Sequence, residues 1–194
     1  MRILIACEYS GVVRDAFIKN GHNAVSCDLL PTESLGPHYQ GDVRNILDDG
    51  WDMMIAHPPC THLAISGAKW FKYKQNEQKE ALEFVRQLLE SPIEKIALEN
   101  PISIISSKIK KPNQIIQPWQ FGHNVSKKTC LWLKNLPELK STKIINPERY
   151  VDGKPRWGNQ SPCGADRTPP SKDRWKIRSK TYLGIANAMA SQWG

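Results

Sequence analysis

The order of apolar runs and amphipathic stretches in the first hundred residues constrains this chain most. "ILIA" at residues 3–6 is a short apolar run, followed by a turn at "EYSG". Val12, Val13, Ala16 and Phe17 then recur at helical spacing, and Gly21 stands where a helix C-cap is expected. Residues 23–27 read as a second strand ending at Asp28, "GDVRNI" around Asp42 as a short third element, and residues 51–56 as a further strand. Residues 75–90 carry Ala81, Leu82, Val85, Leu88 and Leu89 on one broad face, and Ser91-Pro92 ends that helix. "EKIALE" at 94–99 and "TCLWL" at 129–133 are later strands. Strands alternating with helices in this way build an α/β fold, a mostly parallel twisted sheet with helices on its faces. Ligands of such sheets bind beyond the carboxyl ends of the strands. Glu8, Asp28, Cys60 and Glu99 all fall at those ends.

Composition narrows the class further. A chain of 194 residues, 40% hydrophobic and 24% charged, suits one soluble domain or one domain with a small appendage. The apolar runs are too short for a transmembrane helix, and the N-terminal one is too short for a signal peptide, so the expected location is cytoplasmic. The five cysteines are widely spaced with no CxxC, which argues against a disulfide framework or a structural zinc site. His57, Cys60 and His62 form an H-x-x-C-x-H set, but beside two prolines on a strand-to-loop segment it makes a poor metal site, and no metal is expected. The net charge of +8 favours a polyanionic partner such as nucleic acid, or an acidic small substrate. Much of that charge lies in residues 151–180, which are rich in Pro, Gly and Ser and poor in aliphatics. They read as a long loop or insert. Residues 181–194 return to helical spacing through Ile185, Ala188, Met189 and Trp193.

Two short motifs carry chemistry. In "DMMIAHPPC" an apolar strand ends in His57, and Pro58 and Pro59 then fix the backbone and remove two amide donors. Cys60 is thereby presented in a preset geometry, as a nucleophile requires, although a free cysteine also serves as a small buried hydrophobe. In "IALENP" Glu99 closes another apolar strand. A carboxyl group in such a partly dry place is expected to have a raised pKa and to act as a proton donor. The alternative is a carboxylate capping a helix over "ISIISS".

A strand ending in His-Pro-Pro-Cys, then a helix, then a strand ending in Glu-Asn-Pro, resembles the DNA cytosine-5 methyltransferases. The resemblance covers most of the chain and is strongest at "HPPCTHLAISG" and "LENP". It implies a compact, phage-type member with a Rossmann-like class I methyltransferase core over 1–150. Residues 151–180 would be a basic insert serving as a reduced target-recognition region, and 181–194 a C-terminal helix returning to the core. It implies that Cys60 adds to carbon 6 of cytosine and that Glu99 interacts with ring nitrogen 3. It further implies S-adenosylmethionine as cofactor, with Glu8, Ser10, Gly11, Asp28, Asp42, Pro58 and Asn187 beside it, and DNA as partner. The oligomeric state is left open, with a monomer compatible.

The chain departs from the family pattern in four places. The glycine-rich turn after the first strand retains only Gly11, and an extra residue separates Gly184 from Asn187 in the final motif. Where the family has an arginine-rich strand after the glutamate, "SKKTCLWL" offers Lys127 or Lys128, each a point charge rather than a planar fork. The target-recognition region is short. For nucleic acid, Lys69 and Trp70 lie in the segment after Cys60, where phosphate contacts and an apolar wedge would help a base leave its stack. Arg156, Arg174 and Arg178 lie in the insert with Trp157 and Trp175 interleaved, a pattern suited to phosphate contact and base stacking. The same tryptophans would serve equally well packed on the core. Methylation of RNA or of a free cytidine nucleotide, and a non-catalytic nucleic-acid-binding module of the same fold, are the competing readings.

Overall fold

The computed structural model describes residues 1–194. Its elements in chain order are β1 (Arg2–Ala6), α1 (Val12–Lys19), β2 (Asn23–Asp28), β3 (His38–Gln40), β4 (Met53–Ala56), α2 (Gln75–Glu90), β5 (Lys95–Pro101), α3 (Ile105–Lys108), β6 (Gln114–Ile116), β7 (Thr129–Lys134), β8 (Arg149–Val151), β9 (Lys154–Arg156), α4 (Arg174–Ser179) and α5 (Leu183–Trp193). Short 3-10 turns cover Val43–Asn45, Ile65–Tyr73 and Pro118–Gln120.

Seven strands form one sheet in the order β3-β2-β1-β4-β5-β7-β6. Strands β1 to β5 are mutually parallel, and β7 runs antiparallel to both β5 and β6. The expected α/β class, with a mostly parallel sheet flanked by helices, is what the chain adopts. The central strands read as near-continuous apolar runs because both of their faces are covered. Ile3, Ile5, Met53, Ile55 and Ala97 point to the face covered by α1 and α5, where Phe17, Met189 and Trp193 pack on them. Leu4, Ala6, Met54, Ala56, Ile96 and Leu98 point to the other face, under Leu82, Val85 and Leu88 of α2 and Ile105 of α3. The chain steps outward from β1 through β2 to β3 and then crosses to β4 on the other side of β1, so the direction of winding reverses between β1 and β4. That reversal opens a crevice at their carboxyl ends.

Several boundaries differ from the sequence reading. The strand expected from 51 begins at Met53, because Asp52 turns its carboxylate to the Arg2 amide at 2.7 Å and Trp51 donates its indole N–H to the Ile46 carbonyl. The short third element at "GDVRNI" is a 3-10 turn capped by Asp42. The three-residue edge strands β3 and β6 were not foreseen. The insert is more ordered than its composition suggested. Asp152 and Gly153, at φ of 50° and 70°, make the tight turn of the β8–β9 hairpin. That hairpin starts at Arg149, so the change in composition at 151 falls inside its first strand.

Candidate active site

The parallel register of β4 and β5 builds the centre of the site. Ala56 pairs with Leu98, so the next residues, His57 and Glu99, stand side by side where the strands emerge. Both follow the parity of Ile55 and Ala97 and face the α1/α5 side of the sheet. The His57 Nδ1 lies 2.9 Å from Glu99 Oε2, with both side chains nearly buried at 11% and 13% exposure. Asn100, one residue on, has the opposite parity and is buried. Its Nδ2 donates to the Pro58 carbonyl at 2.9 Å, which ties the Pro-Pro-Cys loop to the end of β5. The Cys60 carbonyl then accepts from the amides of Leu63 and Ala64, turning the chain away and leaving the Cys60 side chain exposed at the rim.

Charge organises these groups. Burial pushes the Glu99 carboxyl upward, but the hydrogen bond and charge of His57, with Lys127 behind, outweigh it and hold the pKa below the usual carboxylate value. This corrects the expectation of a raised pKa at Glu99. A strand-end carboxyl does lose water, yet here the neighbouring strand supplies a cation. For His57, burial opposes the charge while Glu99, and more distantly Glu8, favour it, and the balance raises its pKa. Each group thus favours the charged form of the other across their hydrogen bond. At Cys60, crowding on the protein side pushes the thiol up, Lys127 pulls it down, Glu99 pushes it up again and Arg178 pulls more weakly. The balance is upward.

Among the residues singled out for nucleic acid, Lys127 and Arg178 thus reach the cysteine electrostatically, whereas Lys128 is exposed with no polar partner. The Lys127 ammonium donates to the Arg178 carbonyl at 2.8 Å and lies over the Tyr182 ring. Lys69 and Trp70 sit on the exposed 3-10 segment after Cys60, with no buried residue between Ile65 and Tyr73 and the Lys69 ammonium over the Trp70 ring. In the insert, the Arg156 guanidinium is held by the carbonyls of Pro162 and Pro155. Trp157 stacks on Trp119 with ring centroids 5.4 Å apart, so this tryptophan is packed rather than offered to a base. Trp175 remains half-exposed beside Tyr9, and Arg174 is partly buried.

The residues expected beside a cofactor divide similarly. Glu8 is buried and accepts from the Val13 and Arg14 amides and the Ser10 hydroxyl, so its carboxylate caps α1. Gly11 adopts φ 75°, and a Cβ there would lie 2.1 Å from Ser34 Oγ and 2.5 Å from the buried Arg14 guanidinium. Its glycine is required by the chain's own loop. Arg14 also holds Ser26, Thr32 and the Ser34 and Leu35 carbonyls, which orders the β2–β3 loop. Asp28 ends β2 half-buried, with one oxygen accepting from the Leu30 amide; burial raises its pKa. Asp42 is engaged in a bidentate pair with Arg44, which lowers its pKa. Pro58 is buried in the cysteine loop, and Asn187 is exposed on α5, away from the crevice. In its place the crevice is lined by Cys7, Glu8, Tyr9, Ser10 and His57 on one side and by Ser179, Lys180 and Thr181 on the other.

That second side belongs to a strap over residues 174–181. The Tyr9 hydroxyl meets the Lys176 carbonyl at 3.3 Å and Ser179 Oγ at 3.0 Å, and Lys180 pairs with Glu33 at 2.5 Å. The enclosed space is only about 60 Å³. Small-molecule sites usually measure about 300–1,000 Å³. Asp28, at the end of β2, has acceptor oxygens of the kind ribose hydroxyls need, and the unpartnered buried Nε2 of His57 marks a polar gap in the crevice. The groups suit a nucleoside cofactor in type, but the crevice as the strap lies is too small to hold one.

Sequence reasoning did not single out His57 or Asn100 as parts of this site, and it chose Arg174 and Arg178 without showing that their segment packs against Tyr9. His57 had a signal in its place before the prolines, where only metal ligation was weighed. No local signal links residues 174–181 to the turn after β1.

No protein-family model and no curated protein matches the chain. Among solved structures, it is similar to a protein described as a DNA modification methyltransferase encoded within an E. coli prophage, at 11% identity and a TM-score of 0.48, covering 78% of this chain and 56% of that one. It is also similar to the S. pombe Dnmt2 methyltransferase, at 16% identity and 0.46, covering 71% and 50%. A Spodoptera frugiperda DNMT2 mutant follows at 16% identity and 0.43, covering 80% and 57%. The chain thus spans about half the length of the solved structures it resembles.

Proposed function

We propose that the chain is a methyltransferase that uses S-adenosylmethionine to methylate carbon 5 of cytosine in DNA. The observation that carries this reading is the convergence of Cys60 and Glu99 at adjacent strand ends, locked together by the Asn100–Pro58 hydrogen bond. Carbon 5 of cytosine is a weak nucleophile. Attack of the Cys60 sulfur on carbon 6, with loss of the thiol proton, moves the ring's electrons toward carbon 5 and nitrogen 3. A proton delivered through Glu99 to nitrogen 3 neutralises the negative charge that develops there. Lys127 lies on the same side and favours the thiolate. When bound, S-adenosylmethionine supplies an electrophilic methyl carbon. Asp28, at the end of β2, would accept from its ribose hydroxyls, and the crevice between Ser10 and Thr181 would take the remainder once the strap moves aside. Loss of the carbon 5 proton and departure of the sulfur from carbon 6 restore the ring and the thiol. Residues 1–150 act as the catalytic core, residues 151–180 as a reduced target-recognition region and residues 181–194 as the closing helix. With so little recognition surface, sequence preference is weak or short.

Incubation with tritiated S-adenosylmethionine and DNA, RNA or dCMP tests the reading. The label should enter 5-methylcytosine in DNA, and Cys60→Ala should abolish it. DNA carrying 5-fluorocytosine should trap a covalent complex, because carbon 5 then has no proton to lose. Label in RNA or dCMP alone would change the substrate, and cofactor binding without label on any substrate would replace the enzyme with a binding module.

A further inference from the structure

We propose that His57 is a positioning residue for Glu99, fixing one carboxylate oxygen and holding the proton that the pair lends to nitrogen 3 of the pyrimidine. The inference rests on the methyl-transfer reading above and adds to it a group whose chemistry that reading leaves unused.

The geometry divides the Glu99 carboxylate into two unlike oxygens. Oε2 is held by His57 Nδ1 at 2.9 Å, while no group of the chain donates to Oε1. A carboxylate gripped on one side can turn only its other oxygen to a substrate, which fixes the approach of nitrogen 3. The histidine cannot swing away. It leaves β4 with its amide donating to the Ala6 carbonyl at 2.9 Å, and its side chain is nearly buried. Its second nitrogen, Nε2, is buried with no partner and faces the crevice beside Cys7, Glu8, Ser10 and Lys180.

Proton balance requires a store at this place. A carboxylate held ionised by a cation can accept hydrogen bonds from a pyrimidine but has no proton of its own to give. The imidazolium has one. As the Cys60 sulfur adds to carbon 6, the Nδ1 proton crosses to the Glu99 carboxylate and that same proton passes on to nitrogen 3, leaving neutral imidazole and an ionised Glu99. When the sulfur leaves, nitrogen 3 returns a proton to Glu99, and His57 regains its own. One proton is lent and recovered, and no external acid is consumed. The charges facing His57 are Glu99 from β5, Glu8 from the turn after β1, Lys127 from the segment before β7 and Lys180 from the strap, with the Cys60 and Cys7 thiols nearby. The two carboxylates favour the imidazolium, and the Lys127 charge opposes it.

The test compares wild type with His57→Gln, whose amide can still donate to Glu99 but cannot titrate, across pH with a DNA substrate. Wild type should give a bell-shaped rate profile, rising as the Cys60 thiol ionises and falling as His57 loses its proton. The variant should lose about 100-fold in kcat with little change in KM, and its profile should keep the rising limb without the fall. Added imidazole should partly rescue His57→Ala. An NMR titration of the His57 ring should show a value above that of free histidine, falling in Glu99→Gln. A His57→Gln enzyme with the wild-type profile, or a ring that titrates alike with and without the Glu99 carboxylate, overturns the inference. Wild-type protein that labels no nucleic acid removes the methyl-transfer reading and this inference with it, whereas labelling with an unchanged variant profile removes this inference alone.

Discussion

Gly184 shows how one position can reverse a general rule. Alanine in place of a helical glycine usually gains about 0.5–1 kcal/mol. Here the first turn of α5 lies so close to Phe121 that a Cβ would stand 1.9 Å from its backbone carbonyl, while the Gly184 amide donates to His123 Nε2 at 2.9 Å. Gly184→Ala should therefore destabilise the protein by about 1–3 kcal/mol as the helix is pushed off the core, read as a lower urea midpoint. His57 and Glu99 give a second residue-scale expectation. The stabilisation from Glu99, whose pKa is depressed, is present above the ordinary carboxylate value and fades as pH falls through the depressed one. The contribution of His57, whose pKa is raised, is complete below the ordinary imidazole value and fades as pH rises through the raised one. Urea midpoints should thus be highest between those limits, and Glu99→Gln should flatten the decline on the alkaline side. Glu99 itself was legible from the apolar strand before it. Its ionisation was not, because the deciding cation is forty-two residues away and arrives only through strand pairing.

At the scale of elements, what the sequence disclosed follows the strength of each pattern. β1, β2, β4, β5 and α2 were readable because burial demands long apolar runs or a broad apolar face. β3 and β6 span three residues at the sheet's edges, too short to show an alternation. The direction of β7 depends on how the chain crosses the sheet, which no local pattern records. The β8–β9 hairpin did leave a mark, the Asp152-Gly153 pair, which the surrounding proline and glycine obscured. The strap over residues 174–181 is an element of another kind, held to the turn after β1 by the Tyr9 contacts with Trp175, Lys176 and Ser179, and further by Lys180–Glu33 and Lys127–Arg178. An aromatic pair contributes about 0.5–1.5 kcal/mol, so Trp175→Ala should raise the open fraction and the apparent affinity for S-adenosylmethionine about two- to tenfold by calorimetry.

For the whole molecule, the net charge of +8 gains meaning from its distribution. The insert's cations differ in availability. The Arg156 guanidinium is occupied by two carbonyls, whereas the Arg178 guanidinium has no such tether and lies near the cysteine rim. Arg178→Gln should weaken DNA binding and reduce the slope of log affinity against log salt by about 0.9, the share of one phosphate no longer neutralised, while Arg156→Gln should change the slope less. Fluorescence anisotropy at several salt concentrations measures both.

The Lys127–Arg178 link ties this distribution back to the Cys60 sulfur. The lysine whose charge pulls the Cys60 thiol downward is anchored to the backbone of the insert, and the Arg178 charge adds to that pull. Any displacement of the insert therefore alters the electrical surroundings of the sulfur, so that its reactivity gauges where the insert lies. With the other exposed thiol removed by Cys163→Ser, the rate at which iodoacetamide alkylates Cys60 should change when DNA engages the insert, before any methyl group has moved.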